Sequence, residues 1–297
     1  MKFVVAGGSG LIGSAFIKDA LNNKHEIVKL VRRKPKELYE SQWNPDTGEI
    51  DLNAINNAKA IINLSGAGVG DRRWTKRYKK LILTSRVNAT ETLANAIVSL
   101  NNPPSVFVSS SAIGFYGDTA DQAVDENAEL GEGFLSDVVF NWEIAAQKVR
   151  QHKIRVVHPR TSLVMSKHGG VLKKVLPIFK LGLGGKLGKG NQYWSYISLE
   201  DEIRAIHHLI NDSRLTGGVN ISTPNPVTNK EFTKALSSVL NRPAFFNVPT
   251  LALKIALGEF SIEVLGSSRV LPSKLIASGF KFNNPDILST LNSALKY

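Results

Sequence analysis

The sequence predicts an α/β protein, a doubly wound parallel sheet followed by a smaller, mainly helical C-terminal lobe. Strand-like and helix-like stretches alternate through the first part of the chain, a glycine-rich turn joins the first strand to the first helix, and the texture changes after Ser166 into short pieces punctuated by glycine and proline. The alternation implies parallel pairing, because a parallel neighbour is reached only through a long crossover, usually a helix.

Lys2–Ala6 reads as a buried strand, residues 14–22 as a helix and Glu26–Val31 as a second strand, which completes a βαβ unit. Further strands are read at 60–64, 105–109 and 155–158, with helical stretches at 74–100 and 134–151 between them. Residues 181–190 carry glycine at 182, 184, 185, 188 and 190, a composition that suits either a substrate lid or a flexible connection. Short strand-like pieces follow at 193–197 and 218–222, and from Asn229 the chain reads as mainly helical, with prolines at 243, 249, 272 and 285. The expected division is a sheet domain over 1–225 and a covering lobe over 226–297, packed on the carboxyl edge of the sheet where open α/β folds bind their ligands.

At 297 residues the chain is long enough for two lobes, since single cores stop growing near ~250 to 300 residues. Hydrophobic content of 42% with 21% charged residues is that of a soluble globular protein, and the absence of a long apolar run speaks against a membrane partner. The first apolar stretch is too short for a secretory signal, so the expected location is cytoplasmic. There is no cysteine, which excludes disulfides, thiolate metal sites and cysteine nucleophiles. The net charge of +12 favours anionic small molecules, with clusters at Arg32-Arg33-Lys34 and over 72–80. No basic tail or aromatic interleaving points to nucleic acid, and the six histidines form no ligand spacing, so no metal is expected.

Gly7-Gly8-Ser9-Gly10-Leu11-Ile12-Gly13 satisfies the G-x-G-x-x-G spacing directly after the first strand and at the opening of a helix. In that setting small residues let the backbone approach a pyrophosphate, and free amides with the positive end of the helix stabilise its charge. The fold is therefore read as Rossmann-type and the ligand as a dinucleotide. Its usual partner for a ribose 2′-hydroxyl, an acidic residue at the end of the second strand, is replaced by Arg32 and Arg33. A guanidinium holds a 2′-phosphate that a carboxylate would repel, so the expected cofactor is NADP(H).

With these residues the chain resembles the extended short-chain dehydrogenase/reductase superfamily, in its atypical NAD-dependent epimerase/dehydratase-like group with an added C-terminal domain of unknown function. The resemblance is carried by residues 6–13, Ile62-Asn63-Leu64-Ser65-Gly66-Ala67, Arg72-Arg73-Trp74, Ser85-Arg86, residues 109–117 and 181–190, Trp194-Ser195-Tyr196-Ile197, Gly258-Glu259 and Arg269-Val270-Leu271-Pro272. It implies a substrate pocket between the sheet edge and the C-terminal lobe, and it places Leu64, Ser65 and Gly66 beside the adenosine and pyrophosphate half of the cofactor.

Active members of that superfamily pair a Tyr acid/base with a Lys, a Ser or Thr and often an Asn, because hydride transfer at carbon needs a matched proton transfer at its oxygen. Ser109-Ser110-Ser111 supplies the serine, with Ser111 favoured as the catalytic hydroxyl and a strand-end serine bonding its own backbone as the alternative. Alignment on Ala145-Ala146 puts Val139 at the Tyr position and Glu143 at the Lys position. Val139 has no proton to give, and Glu143 would raise a neighbouring phenol by like-charge repulsion. The Asn position holds Arg86, a candidate for cofactor phosphate or a substrate anion. Tyr116 is the substitute acid to test, against a simple packing role. Two readings follow: an NADP(H)-dependent oxidoreductase or epimerase on a small anionic substrate, and a non-catalytic NADP(H)-sensing protein that controls a partner.

Overall fold

The computed structural model describes residues 1–296. It opens with β1 (Lys2–Ala6), α1 (Leu11–Asn22) and β2 (Glu26–Val31), continues through β3 (Glu40–Asn44), β4 (Glu49–Ile50), a short α2 (Leu52–Ile55) and β5 (Ala60–Asn63), and then enters the long α3 (Lys76–Val98). Next come β6 (Val106–Ser109), β7 (Ser111–Ala112), α4 (Phe134–Ala145), α5 (Gln147–Gln151) and β8 (Arg155–Thr161). The main sheet runs β13-β8-β6-β5-β1-β2-β3-β4, with β13 (Gly217–Ile221) at one edge and β7 continuing beside β8. All these pairs are parallel except β3–β4.

Strand β1 shows why both faces are covered. Phe3 and Val5 join the core that contains Phe16 and Ile17 of α1, while Val4 and Ala6 join the opposite core with Leu93 and Ile97 of α3. Alternate side chains of a strand point to opposite faces, so an unbroken apolar strand requires helices on each side. The fold class read from the sequence is the one observed. Two boundaries differ for local reasons: α1 begins at Leu11 because the end of the glycine loop is already its first turn, and residues 134–151 form two helices that meet at Ala146.

The rest of the chain mixes short strands with helices: β9 (Leu163–Met165), α6 (Gly170–Lys180), β10 (Gly185–Leu187), β11 (Tyr193–Trp194), β12 (Tyr196–Ser198), α7 (Leu199–Asn211), then after β13 come β14 (Val227–Thr228), α8 (Asn229–Leu240), β15 (Phe246–Val248), α9 (Thr250–Leu257), α10 (Ser261–Leu265), α11 (Ser273–Ala277) and α12 (Ile287–Lys296). Strands β9 and β12 pair, as do β10 with β15 and β11 with β14. Glycine at 185 is a close-approach requirement, since a Cβ there would lie 1.7 Å from the carbonyl oxygen of Phe246. A third core, with Leu172 and Leu176 of α6, Phe232 and Leu236 of α8 and Leu291 of α12, holds this part together. The buried Asp201 on α7 ties it to the sheet domain by accepting the amides of Asn283 at 3.0 Å and Asn284 at 2.8 Å. Among the described residues, no helix is long and apolar enough to cross a membrane.

Candidate dinucleotide and substrate site

The glycine loop is shaped by contact with the end of β5. Gly7 has φ +77°, and a Cβ on it would lie 2.5 Å from the carbonyl carbon and oxygen of Leu64; a Cβ on Gly13 would lie 2.4 Å from the Gly7 oxygen. Only glycine fits both places. Gly10 caps α1 without any side-chain bond, and no acidic residue occupies the first turn, so the free amides face an unopposed positive helix end. Asn63, fully buried, fixes the neighbouring turn: it donates to Thr90 Oγ1 at 2.9 Å and accepts the Ser65 amide at 3.1 Å. A cradle that excludes side chains and offers unpaired amides fits a dinucleotide pyrophosphate.

At the end of β2 the two arginines part company. Arg33 makes a bidentate pair with Glu40 at 2.8 Å for each bond, and Lys29 adds a contact at 3.3 Å. The bonds from Arg33, the Lys36 amide and Lys29 hold the Glu40 carboxyl well below the usual carboxylate range, at about 2. Arg33 thus already has a carboxylate partner inside the protein, which sets it apart from Arg32. Arg32 has no ion-pair partner among the described residues and borders an open hollow that Gln42, Asn44, Asp46 and Glu49 also line.

A cleft of about 370 Å³ runs from the glycine loop past Leu64 to Ser110, Ser111 and Trp142, and is closed by residues 161–164 with Gly170 and Val171 of α6. It brings Gly7, Gly10, Leu11, Ile12, Gly13, Leu64 and Ser111 together. Ser111 Oγ donates to Glu143 Oε1 at 2.6 Å, and Arg160 donates to both oxygens of the same carboxylate at 2.9 and 3.0 Å. Burial alone would raise the Glu143 carboxyl, but the bonds from Arg160, the charges of His158 and Arg160 and the Ser111 hydroxyl bring it below its ordinary value. Sequence reasoning found Ser111 and Glu143 separately; it missed Arg160, the residue that makes the buried carboxylate tenable. A lone arginine in a strand gave no signal of its partner.

Tyr116 is not among the residues that line the cleft. It is buried, its hydroxyl donates to Asn220 Oδ1 at 2.7 Å and accepts from Arg160 at 3.0 Å, and burial raises the phenol above its usual value. With both hydroxyl bonds taken inside the protein, one of them from Arg160, the arrangement fits the packing alternative. Val139, which the motif alignment puts at the tyrosine position, is buried in α4.

The basic cluster over 72–80 divides similarly. Lys79 pairs with Glu259 at 2.5 Å and stands 4.4 Å from the Phe134 ring centre, and a Cβ on Gly258 would lie 3.0 Å from the Arg73 guanidinium. These side chains dock the C-terminal lobe on the sheet domain. Arg86 is different: it donates to the carbonyls of Ala67 at 3.0 Å and Ile82 at 2.8 Å, stands 5.0 Å from the Trp142 ring centre, and is pulled down to about 10 by burial.

A parallel sheet with a glycine cradle at its switch point and a serine–glutamate pair in the adjoining cleft defines a dinucleotide-dependent protein of the Rossmann class. The chain belongs to the NAD dependent epimerase/dehydratase family, whose profile matches residues 3–222; a domain of unknown function, DUF1731, matches residues 248–294. An epimerase family protein of Mycobacterium bovis is 41% identical over 294 residues, 99% of this chain and 96% of the relative, and one of Staphylococcus saprophyticus is 35% identical over 96% of each. The crystal structure of the human epimerase family protein SDR39U1 (isoform 2) with NADPH superposes with a TM-score of 0.93, at 28% identity over the whole of both chains. The nucleoside-diphosphate sugar epimerase of Corynebacterium glutamicum gives 0.81 at 28% identity, over 99% of this chain and 58% of that one. The family resemblance drawn from the motifs is therefore correct.

Proposed function

We propose that this chain is an NADP(H)-dependent oxidoreductase or epimerase acting on a small anionic substrate, with residues 226–297 as the lobe that covers it. The observation that carries the reading is the Ser111 hydroxyl, which lines the same cleft as the glycine loop and is held by Glu143. Gly7 to Gly13 and Leu64 to Gly66 would hold the dinucleotide, with Arg32 as the guanidinium left for a 2′-phosphate; the NADPH bound by the human relative supports the same choice. When bound, the nicotinamide supplies hydride chemistry. The protein's own contribution is at oxygen. Because Ser111 donates its proton to Glu143, its lone pairs are free to accept the proton of a substrate hydroxyl as its own passes to the carboxylate. Arg160 keeps that carboxylate a weak base, which makes for slow turnover.

The test is NADP⁺ reduction over a panel of small hydroxy acids and nucleotide sugars, the direction in which Ser111 and Glu143 take up the hydroxyl proton. Ser111→Ala should slow it roughly 10²- to 10⁴-fold with NADPH affinity unchanged; a variant as fast as the wild type rejects the assignment. One observation favours the second reading, a non-catalytic NADP(H) sensor that controls a partner: the buried Val139 stands where the family's phenol would be. That reading requires no turnover on any substrate, together with a partner whose capture depends on NADPH against NADP⁺.

A further inference from the structure

Helix α6 has its two ends in different surroundings. Gly170 and Val171 line the cleft at its start, whereas Ile178, roughly 12 Å further along at ~1.5 Å per residue, is exposed. The chain then turns through Gly182, at φ +73°, and leaves Leu181 75% exposed and Leu183 exposed as well. This turn lies against the approach to β15: a Cβ on Gly182 would meet Pro243 Cγ at 3.5 Å, the Phe246 amide donates to the Gly184 carbonyl at 3.3 Å, and Gly185 is the register partner of Phe246. Phe245, between Pro243 and the strand, is 90% exposed, and Phe246 is exposed too. Apolar residues scattered singly over a surface need no explanation, but these five are gathered at one edge of the lobe. Helix α9 follows β15 directly and adds Leu251 and Ile255, exposed one turn apart on a single face.

The charge carried by these segments has one sign. Residues 167–199 contain six lysines and no Asp or Glu, and residues 232–258 contain Lys234, Arg242 and Lys254 and again no acid. Lys180, Arg242 and Lys254 are exposed, and no ion pair among the described residues includes them. A second copy of the chain docked through the same face would set these cations against one another, because an isologous contact brings each patch onto itself. An anionic lipid surface complements both features: apolar and aromatic tips enter the headgroup boundary, and lysine stems lie along it with their charges at the phosphates. We infer that the edge of the C-terminal lobe around Leu181 and Phe245 is a peripheral docking surface for a bilayer that contains anionic phospholipid. Such a surface rests on the bilayer without crossing it, so it needs no long apolar helix. The cleft lies at the other end of α6 and takes no part in the contact, and the inference is independent of the reading of Ser111.

The experiment is co-sedimentation of the full chain, at one fixed salt concentration, with vesicles of phosphatidylcholine alone and of phosphatidylcholine mixed with phosphatidylglycerol. The wild type should bind the mixed vesicles about tenfold or more tightly than the neutral ones. Leu181→Ser combined with Phe245→Ser, both changes at exposed side chains, should weaken that binding by about tenfold or more and leave the melting temperature unchanged. Lys180→Glu combined with Lys254→Glu should weaken it by a similar factor. Lys24→Glu combined with Lys59→Glu makes the same change of net charge at exposed positions just before β2 and β5, at the amino edge of the sheet, and should leave binding within about twofold. Equal binding to the two kinds of vesicle overturns the inference, and so does an equal loss in the Lys24 and Lys59 variant, which would reduce the effect to overall charge. A dimer in analytical ultracentrifugation that Leu181→Ser with Phe245→Ser breaks would give the face to a second copy and overturn it as well.

Discussion

Ser111 and Glu143, 32 residues apart in sequence, are joined by a 2.6 Å hydrogen bond, and the carboxylate that accepts it is clamped from behind by Arg160. By the motif alignment Ser111 stands at the family's serine and Glu143 at its lysine, so a fixed anion replaces a fixed cation. Glu143 thus has a structural duty to Arg160 as well as any duty to substrate.

The two duties separate in variants. Glu143→Ala leaves the buried Arg160 unpaired and should cost about 3 to 5 kcal/mol of stability, whereas Glu143→Gln keeps the hydrogen-bonding shape and should cost less. The pH dependence follows from the lowered carboxyl: unfolded, it titrates near the ordinary 4.5, and folded it titrates lower. Its stabilising contribution is complete above 4.5 and is lost as the pH falls through the folded value. Melting temperatures measured downward from neutral pH should drop more steeply in the wild type than in Glu143→Gln; parallel curves would show that the pair contributes nothing.

What the sequence revealed of this site was set by distance along the chain. The glycine loop was legible because its glycines, the preceding strand and the helix it opens lie within one βαβ unit, and the missing Tyr and Lys were legible because one helix carries both positions. The ion pair of Arg33 was not legible because its partner Glu40 begins β3, a strand whose residues Glu-Ser-Gln-Trp-Asn show no apolar run. Tyr116 followed the serine run closely enough to suggest a shared site, yet the turn after β7 directs its hydroxyl to Asn220, 104 residues on. Contacts made by tertiary packing between distant segments leave no local pattern. The sheet itself did, because β1, β5 and β6 are buried on both faces and carry nearly continuous apolar runs.

Gly7→Ala should disable dinucleotide binding. The residue sits at φ +77°, and its new Cβ would meet the Leu64 carbonyl at 2.5 Å. Backbone strain alone is worth about 1 to 3 kcal/mol, and relief of the clash moves the loop away from β5. Thermal melts in the presence of NADPH should show a lower midpoint and no stabilisation by the cofactor; retained stabilisation would mean that the cradle lies elsewhere.

The two arginines after β2 should behave differently. Arg32→Ala should reduce the preference for NADPH over NADH by roughly 10- to 100-fold, the worth of charge-assisted bonds to a 2′-phosphate. Arg33→Ala should leave that preference mostly intact and lower thermal stability instead, since it strips Glu40 of its bidentate partner. Calorimetry with both cofactors on both variants decides, and equal affinity of the wild type for NADPH and NADH would sink the assignment of Arg32.

Glu202 of α7 is the last test, and its sign is opposite to that of Glu143. The carboxyl is fully enclosed: one oxygen accepts from Thr161 Oγ1 at 2.9 Å and the other has no partner, so burial pushes it up to about 8. Folded, it keeps its proton up to about 8, whereas unfolded it releases it near 4.5. Across that interval the folded state binds the extra proton, so this group makes stability fall as the pH rises, and the fall ends above the folded value. Glu202→Gln keeps the bond to Thr161 and removes the titration. Its melting temperature relative to wild type should therefore climb steadily from about pH 5 to pH 8, over the window set by the raised carboxyl. A constant difference over that range would mean that Glu202 ionises normally, through a path for water beneath Thr161.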